Sequence, residues 1–439
     1  MLREAKKYFK TLISNIISKG FIHIFAASLL NKIMVFAGSI LLVRIISKED
    51  YGVYAYAYNI YGFVAIFTGF GATSGMLQLG SETSEINKRN DIYNFGCRVG
   101  ILFNIFLAII IIGIARFIHL PIVGANYYLL LLSLLPIAEV ISSMQLIYLR
   151  TDLRNKEYSA ANMISTILVF ITSVAMSILF QAKGLIWSYY ISYIVTILTV
   201  SKLFKLPFSI KHGNLSELDK KVFLSISGIS MLNNGVSQLM YLLDVFILGI
   251  VTADGNTIAA YKVATKIPTA LSFIPSVIIT FVYPYFARNK DNKKWCKRYT
   301  IIIMSLVGMF NLIISTILFM MAPQIINIVF GNQYLDSVRP FRILCISYIF
   351  SGSVRIFAGN FLVAQRKLKF NLFDAVFSGT LNTILNLWLI PRYQSCGAAI
   401  ATLITTFFSS MISGGYLIYV YNKKMLDSEE DGEMVEHGR

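Results

Sequence analysis

The sequence predicts an all-α membrane protein, and two observations lead to that prediction. Of the 439 residues, 56% are hydrophobic and only 14% are charged, which is too little charge to cover a soluble protein of this length. Apolar runs of about 20 residues, the length that crosses a bilayer as a helix, recur along the whole chain. Lipid cannot bond to backbone groups, so these runs must be helices rather than open strands.

Hydropathy divides the chain into twelve predicted spans and four other segments. The spans are 21–46, 51–80, 93–115, 126–149, 158–180, 184–201, 222–250, 257–285, 299–322, 340–365, 370–390 and 396–421. The longest connection, 202–221, separates a predicted N-lobe (21–201) from a predicted C-lobe (222–421). Segment 1–20 spaces apolar residues against lysines, as in an amphipathic helix on an anionic membrane face, and lacks a cleavage site. Segment 422–439 is an acidic tail.

Basic residues predict the orientation of the chain. The net charge of +17 would suit a nucleic-acid partner, but its distribution argues for topology instead. With the N-terminus inside the cell, cytoplasmic segments hold 27 of the 39 Lys and Arg residues. The outer segments hold Lys48, Arg116, Lys183, Arg339 and Arg392. This skew follows the positive-inside rule and predicts that both termini are cytoplasmic.

A run of tyrosines opens the second span. In "RIISKEDYGVYAYAYNIYGF" (44–63), Ser47 and Asp50 are residue types that start a helix. Tyr51 and Tyr54 would lie at headgroup depth as an aromatic belt. Tyr58 and Tyr61 lie deeper, where stacking on a sugar is the alternative to a belt.

An internal repeat is visible at the level of short segments. "YLRTDLRNKEYSAA" (148–161) aligns with "FLVAQRKLKFNLFD" (361–374), and "GLIWSYYIS" (184–192) aligns with "GAAIATLIT" (397–405). Both pairs are offset by 213 positions. "IISKEDYGVYAYAY" (45–58) aligns with "IVTADGNTIAAYKV" (250–263) at a similar offset. Six spans in each half imply a parallel duplication.

Charged residues within the predicted spans are the candidate functional groups, because a charge at a helix centre costs roughly 2.5–3.5 kcal/mol on insertion scales. Lys262 and Lys266 are four apart on one helix face, an arrangement that suits an anionic ligand. Structural pairing of these bases with Asp244 or Glu139 is the alternative. The candidate groups at or near the middle of spans, or on spans expected to line a cleft, are Lys32, Arg44, Glu139, Asp244, Lys262, Lys266 and Arg355.

Three further charged residues and two amides complete the polar set. Arg342 lies towards the outer end of its span, and for Arg98 and Asp374 we expect snorkelling at the cytoplasmic interface. Asn382 and Asn386, at helical spacing, would line a cavity or bridge helices. Cys97, Cys296, Cys345 and Cys396 are scattered, so we expect neither a disulfide framework nor a metal site. No phosphate-binding loop or other cofactor motif occurs, so we expect no cofactor.

Three segments carry a family resemblance. "LLVRIISKEDYGVYAYA" followed by "FTGFG", "VFGNQYLDSVRPFRIL" and "NLWLIPRYQSCGAAIAT" resemble bacterial polysaccharide exporters of the Wzx type. In the last segment, Ser395 or Cys396 stands where a glycine is common in the family. The resemblance implies the multidrug/oligosaccharidyl-lipid/polysaccharide exporter fold, with two six-helix lobes around a central cleft.

The resemblance also implies a substrate and partners. The expected function is flipping of an undecaprenyl-diphosphate-linked oligosaccharide to the outer leaflet of the plasma membrane, with a polysaccharide polymerase and a chain-length regulator as partners. Lys32, Arg44, Lys262, Lys266 and Arg355 would neutralise the diphosphate, and Asp244 or Glu139 would couple ions or pair charges. The alternatives are an ion-coupled multidrug exporter, a flippase for another lipid-linked precursor, and a membrane enzyme, for which the short outer connections offer few carboxylates.

Overall fold

The computed structural model describes residues 21–206 and 215–436. Its regular structure is helical throughout this part of the chain, as the sequence predicts. The predicted amphipathic segment 1–20 and much of connection 202–221 lie outside the described residues.

Seven helices lie between residues 21 and 206. They are α1 (Phe21–Ile45), α2 (Lys48–Ala65), α3 (Ala72–Glu82), α4 (Ile86–Phe117), α5 (Ala125–Leu132), α6 (Leu135–Thr151) and α7 (Asn155–Phe204). The helices after residue 215 are α8 (Glu217–Thr252), α9 (Gly255–Leu271), α10 (Phe273–Arg288), α11 (Lys293–Met320), α12 (Ala322–Phe330), α13 (Val338–Phe350), α14 (Ile356–Ala364) and α15 (Leu368–Glu436). Short 3₁₀ turns cover Thr68–Gly71 and Asn332–Ser337, and a π-helical turn covers Ser351–Arg355.

Eight helical stretches in the described part of the chain are long and apolar enough to cross a membrane. They are Lys48–Glu82, Ile86–Phe117, Ala125–Thr151, Asn155–Phe204, Gly255–Arg288, Lys293–Met320, Asn332–Ala364 and Leu368–Lys423. The protein is therefore a multi-pass, all-helical membrane protein, and that part of the prediction is confirmed. The count of twelve crossings stays a prediction.

Helix α7 reverses direction in its middle. Fifty residues in one straight helix would extend about 75 Å, far beyond the ~30 Å of a bilayer core. At Gln181 the backbone leaves the helical region (φ 53°, ψ −138°). The two arms then run antiparallel, since the Thr172 hydroxyl lies 2.6 Å from that of Ser192. A Cβ on Gly184 would stand 1.9 Å from the carbonyl oxygen of Met176, so only glycine allows this approach.

The same reversal occurs in α15. It lies 213 residues after Gln181, which is the offset of the internal repeat. Gln394 has φ 50° and ψ −126°, and a Cβ on Gly397 would stand 2.4 Å from the carbonyl oxygen of Leu389. The loops Thr151–Asn155 and Ala364–Leu368 also correspond, and each contains a residue with positive φ, Leu153 and Arg366. The internal repeat predicted from the sequence is confirmed at these positions.

Helix α2 ends at a break in the chain that the sequence predicts as one continuous span. Gly69, Phe70 and Gly71 all have positive φ, which separates α2 from α3. The side chain of Asn104 stabilises the break, because its Oδ1 accepts from the Gly69 N–H at 2.6 Å. Its Nδ2 donates to the carbonyl oxygen of Pro136 at 2.6 Å.

The chain forms two compact units, Met1–Leu242 and Leu243–Arg439. The first turns of α8 belong to the first unit, whose apolar core includes the fully buried Phe223 with Met76, Tyr93 and Met144. A Cβ on Gly96 would lie 2.7 Å from the Met144 methyl group and 3.0 Å from the Phe223 ring, so the absence of a side chain allows this packing. The lobe boundary predicted at 202–221 stays a prediction.

Candidate functional site

The carboxylate of Asp244, in the second unit, is surrounded by hydrogen-bond donors from α9 and from both arms of α15. The Tyr261 hydroxyl of α9 donates to Oδ2 at 2.7 Å, and the Thr402 hydroxyl of α15 donates to the same atom at 3.0 Å. The Asn386 amide donates to Oδ1 at 2.7 Å and to Asn382 Oδ1 at 2.9 Å. Donors fixed in this way stabilise an ionised carboxylate in a low-dielectric interior.

Lys262 and Lys266 lie on the helix that also carries Tyr261. Asp254 starts this helix, since its carboxylate accepts from the N–H groups of Asn256 and Thr257 at 3.0 Å each. Both lysine side chains are half-buried, one turn apart. Lys262 lies within electrostatic range of both Lys266 and Asp244. The structure therefore links three of the predicted site residues in sequence, with Lys262 between Lys266 and the Asp244 carboxylate.

Glu139 forms a different site in the first unit. Its Oε2 accepts from the Tyr61 hydroxyl at 3.1 Å, and Tyr58, Tyr189 and Tyr193 lie within electrostatic range. Pairing of Glu139 with the lysines, which the sequence left open, stays a prediction. The hydrogen-bond partner of Glu139 among the described residues is a tyrosine.

Four of the five tyrosines of α2 are packed inside the first unit rather than spread in a lipid-facing belt, and the fifth, Tyr58, is exposed. Tyr51 and Tyr54 are each 7% exposed, so the belt interpretation is wrong for them. The helix start is predicted correctly: the Ser47 hydroxyl accepts from the Asp50 N–H at 3.3 Å. Asp50 then bonds the Tyr128 hydroxyl and the Ala182 N–H, which joins the start of α2 to the reversal in α7. These groups face protein because α7 covers them.

The remaining predicted cations lie elsewhere. Lys32 and Arg44 are exposed on α1 in the first unit. Arg355 ends the π-helical turn in the second unit and acts electrostatically on Asp374 rather than on Asp244. Asp374 is buried and accepts from the Ser409 hydroxyl at 2.7 Å, so the prediction that it snorkels is wrong. The predicted diphosphate-binding set is thus divided between the two units.

Two groups of the Asp244 site were not found from the sequence. Tyr261 and Thr402 are common residue types in spans, and nothing in their spacing marks them. Asn382 and Asn386 gave a signal through their helical spacing, and the structure shows that they bond to each other and bridge to α8 through Asp244.

Arg89, in the first unit, is another residue whose role the sequence did not reveal. It counts there as a cytoplasmic basic residue, yet only 8% of it is exposed. Its guanidinium donates to the carbonyl oxygens of Gly80 and Thr83 at 3.2 and 2.7 Å, and it pairs with Asp152. It therefore closes the connection between α3 and α4.

Within the described part of the chain, no group of three or more His, Cys, Asp or Glu side chains could hold a metal ion. The polar clusters inside a bundle of apolar helices define a multi-pass membrane protein with the fold of a transporter. Solved structures support that class. An inward-facing multidrug resistance MATE family transporter of the MOP superfamily superposes with a TM-score of 0.71 over 90% of this chain and 95% of its own, at 12% identity. The lipid II flippase MurJ in an inward closed conformation gives 0.68 over 93% and 90%, at 17% identity.

The sequence family is narrower than the fold. Residues 41–339 match the family described as "Polysaccharide biosynthesis protein", and the chain belongs to that family. The capsular polysaccharide biosynthesis protein CapF of Staphylococcus aureus is 24% identical over 89% of this chain and 96% of its own. The probable low-salt glycan biosynthesis flippase Agl15 of Haloferax volcanii is 22% identical over 91% of this chain and 83% of its own. The resemblance seen in the sequence is confirmed.

Proposed function

We propose that this protein is a flippase that moves an undecaprenyl-diphosphate-linked oligosaccharide from the cytoplasmic to the outer leaflet of the plasma membrane. The oligosaccharide would be the repeat unit of a surface polysaccharide such as a capsule, O-antigen or exopolysaccharide. Membership of the polysaccharide biosynthesis family supports this, as do relatives named for capsule synthesis and glycan flipping. The protein would act by alternating access through a cationic cleft, as a transporter and not as an enzyme.

The observation that carries the proposal is the lysine pair of α9. A diphosphate cannot enter hydrocarbon without replacing its water, and two ammonium groups one turn apart provide that replacement. Lys262 and Lys266 are both half-buried in the stretch Gly255–Arg288, which is long and apolar enough to cross the membrane. A cation exporter would be repelled by such a pair, so the lysines favour an anionic substrate over a cationic drug.

The membrane topology that we propose has twelve crossings in two lobes of six, with both termini in the cytoplasm. The reversals at Gln181 and Gln394 support it, because each divides one long helix into two arms that could cross separately. Counting those arms raises the eight membrane-length stretches to ten, and α1 and α8 would supply the last two. The excess of basic residues on one side supports the orientation.

Ion coupling through Asp244 is a second part of the proposal. A carboxylate with three fixed donors in an apolar bundle, within electrostatic range of Lys262, can respond to a proton or a small cation. Release of that ion would then change the electrostatic field on the lysines. Among protein partners we propose a polysaccharide polymerase and a chain-length regulator, which would consume the exported unit.

The test is export of the native lipid-linked oligosaccharide, measured as surface polymer per unit of membrane-inserted protein. Lys266→Ala should remove most export, and Lys266→Arg should retain part of it because the charge persists with a different geometry. Lys156→Ala is the matched control, since Lys156 is exposed in the first turn of α7. If Lys262→Ala and Lys266→Ala together leave export unchanged, the lysines do not bind the diphosphate.

Ion coupling is tested separately in vesicles loaded with that lipid. Asp244→Asn should remove the dependence of flipping on an imposed proton or sodium gradient, while flipping without a gradient continues. An unchanged gradient dependence in this variant would exclude Asp244 as the coupling group.

A further inference from the structure

One face of the first unit carries six tyrosines that the diphosphate chemistry does not use. We call it the tyrosine face, and it consists of Tyr51, Tyr54, Tyr58 and Tyr61 on α2 with Tyr189 and Tyr193 on α7. The α2 residues are spaced by three or four positions, which places them on one side of the helix. Their rings follow one another with centroid separations of 6.4, 5.6 and 5.4 Å.

The second helix of this face is held in register with the first. The Tyr54 and Tyr189 hydroxyls are 3.3 Å apart, and the Tyr61 hydroxyl donates to Glu139 at 3.1 Å. Tyr58 lies within electrostatic range of Tyr189, Tyr193 and Glu139. Three helices, α2, α6 and α7, therefore bring ring faces, hydroxyls and one carboxylate to the same place.

The tyrosine face is not only a packed core. Tyr54 and Tyr61 are buried, but Tyr58 is 42% exposed and Tyr189 and Tyr193 are half-buried. The Tyr58 and Tyr193 hydroxyls make no hydrogen bond within the described part of the chain, and Glu139 receives one there, from Tyr61. A carboxylate can accept about four hydrogen bonds, so this face keeps acceptor and donor capacity for a ligand.

The chemistry of this face selects a neutral, hydroxyl-rich ligand. The Glu139 carboxylate would repel a diphosphate, whereas it accepts hydrogen bonds from sugar hydroxyl or N-acetyl groups. The tyrosine rings offer apolar surfaces on which the C–H face of a pyranose can lie, with their hydroxyls at the edge.

We infer that the tyrosine face binds the saccharide part of the lipid-linked substrate, and that Glu139 accepts hydrogen bonds from its hydroxyl groups. This inference rests on the proposed function and adds which residues bind the saccharide. The tyrosine face is inferred to bind the sugar, whereas the lysine pair is proposed above for the diphosphate.

The test compares two probes on purified protein in nanodiscs. One probe is undecaprenyl diphosphate, and the other is the undecaprenyl-diphosphate-linked oligosaccharide extracted from cells that carry this protein. Tyr58→Leu and Glu139→Gln should each raise the Kd of the glycosylated lipid about tenfold, the equivalent of one lost stacking or hydrogen-bonding contact, and leave that of the bare lipid within about twofold. Tyr58→Phe keeps the ring and should cost less than about threefold. The control is Tyr127→Leu, a half-exposed tyrosine outside this face, which should change neither Kd.

Each other outcome overturns the inference, and thermal unfolding of every variant shows that it is folded. Equal losses for both lipids would assign the tyrosines a structural role. No loss for either lipid, or a wild-type protein that does not prefer the glycosylated lipid, would exclude a saccharide site here. If the folded wild-type protein binds neither lipid, the proposed function itself is wrong, and that result differs from all the others.

Discussion

The two units share a scaffold and differ in the surroundings of their buried carboxylates. Each contains a long helix that folds back on itself at a glutamine, Gln181 in one and Gln394 in the other, with a glycine three positions later at the close approach. Asp244 receives hydrogen bonds from three side chains in the second unit, whereas Glu139 receives one, from Tyr61, among the described residues of the first.

This difference teaches how a duplicated bundle can hold two kinds of site. The reversal depends on backbone geometry, and in each unit a glycine allows it. The carboxylates depend on which side chains neighbouring helices present. Asp244 is held by three fixed donors, so we expect it to act through its charge. Glu139 keeps open acceptor positions beside tyrosine rings, so we expect it to accept hydrogen bonds from a ligand.

The largest effect should come from the glycines that allow the reversals. In Gly184→Ala and Gly397→Ala the new Cβ would meet a carbonyl oxygen at 1.9 and 2.4 Å, and backbone cannot move aside as a flexible side chain does. We expect each variant to lose ~3 kcal/mol or more of stability and little monodisperse protein to be recovered. Gly113→Ala and Gly359→Ala are the controls, because nothing lies within 4 Å of a Cβ there.

Fluorescence-detected size exclusion and thermal unfolding in detergent check this prediction. If only one of the two variants is unstable, the reversals are not equivalent, and the two units do not share this structural feature.

Removal of each carboxylate should show most clearly how the two sites differ in stability. Asp244→Ala leaves the donors Tyr261, Asn386 and Thr402 facing a gap, which we expect to cost about 3 kcal/mol, against about 1 kcal/mol for Glu139→Ala. The measurement is the thermal unfolding of both variants in the same lipid nanodiscs. Equal losses would show that Glu139 is as tightly bonded as Asp244, and the ligand role of Glu139 would lose its support.

A smaller effect should follow from deleting single hydroxyl groups. Tyr261→Phe removes one of three donors to Asp244, and Tyr61→Phe removes the described donor to Glu139. Each should cost about 1 kcal/mol. A double-mutant cycle of Tyr261→Phe with Thr402→Val should show coupling, since both hydroxyls donate to the same oxygen. Additive losses would mean that Thr402 does not share the carboxylate.

The smallest effect concerns the ion pair between Lys88 and Asp219, which are 3.1 Å apart and partly exposed. Hydrogen bonds from Ser216 and Lys88 lower the pKa of Asp219 below its ordinary value. The stability that Asp219 contributes is therefore present above its pKa in the unfolded chain. That stability is lost as the pH falls through the lowered pKa of Asp219 in the folded protein. Asp219→Asn should cost less than about 1 kcal/mol at neutral pH, and salt should remove the difference.

Thermal unfolding at low and high salt checks this last prediction. A loss that persists in high salt would mean that Asp219 holds the start of α8 to α4 by more than charge.

Much of the architecture could be predicted from the sequence because hydropathy adds along the chain. The membrane class, the Ser47 helix start and the 213-residue repeat all depend on residues close together in sequence or on short matching segments. The breaks were only partly predictable. The gap between the fifth and sixth predicted spans falls at Gln181, but the turn at Gly69–Gly71 inside the second span was missed, since Asn104 satisfies its backbone from another helix.

The composition of the sites was decided by tertiary structure. The lysine pair of α9 follows from spacing alone, and so does the pair Asn382 and Asn386. Asp244 meets Asn386 and Thr402 across 142 and 158 positions of chain, and no local pattern records how far each helix is rotated towards the others. The tyrosines of α2 show the same limit. Spacing places them on one face, but only the packing of α7 and α6 decides that this face meets protein and Glu139 rather than lipid, because an amphipathic ring is stable in either place.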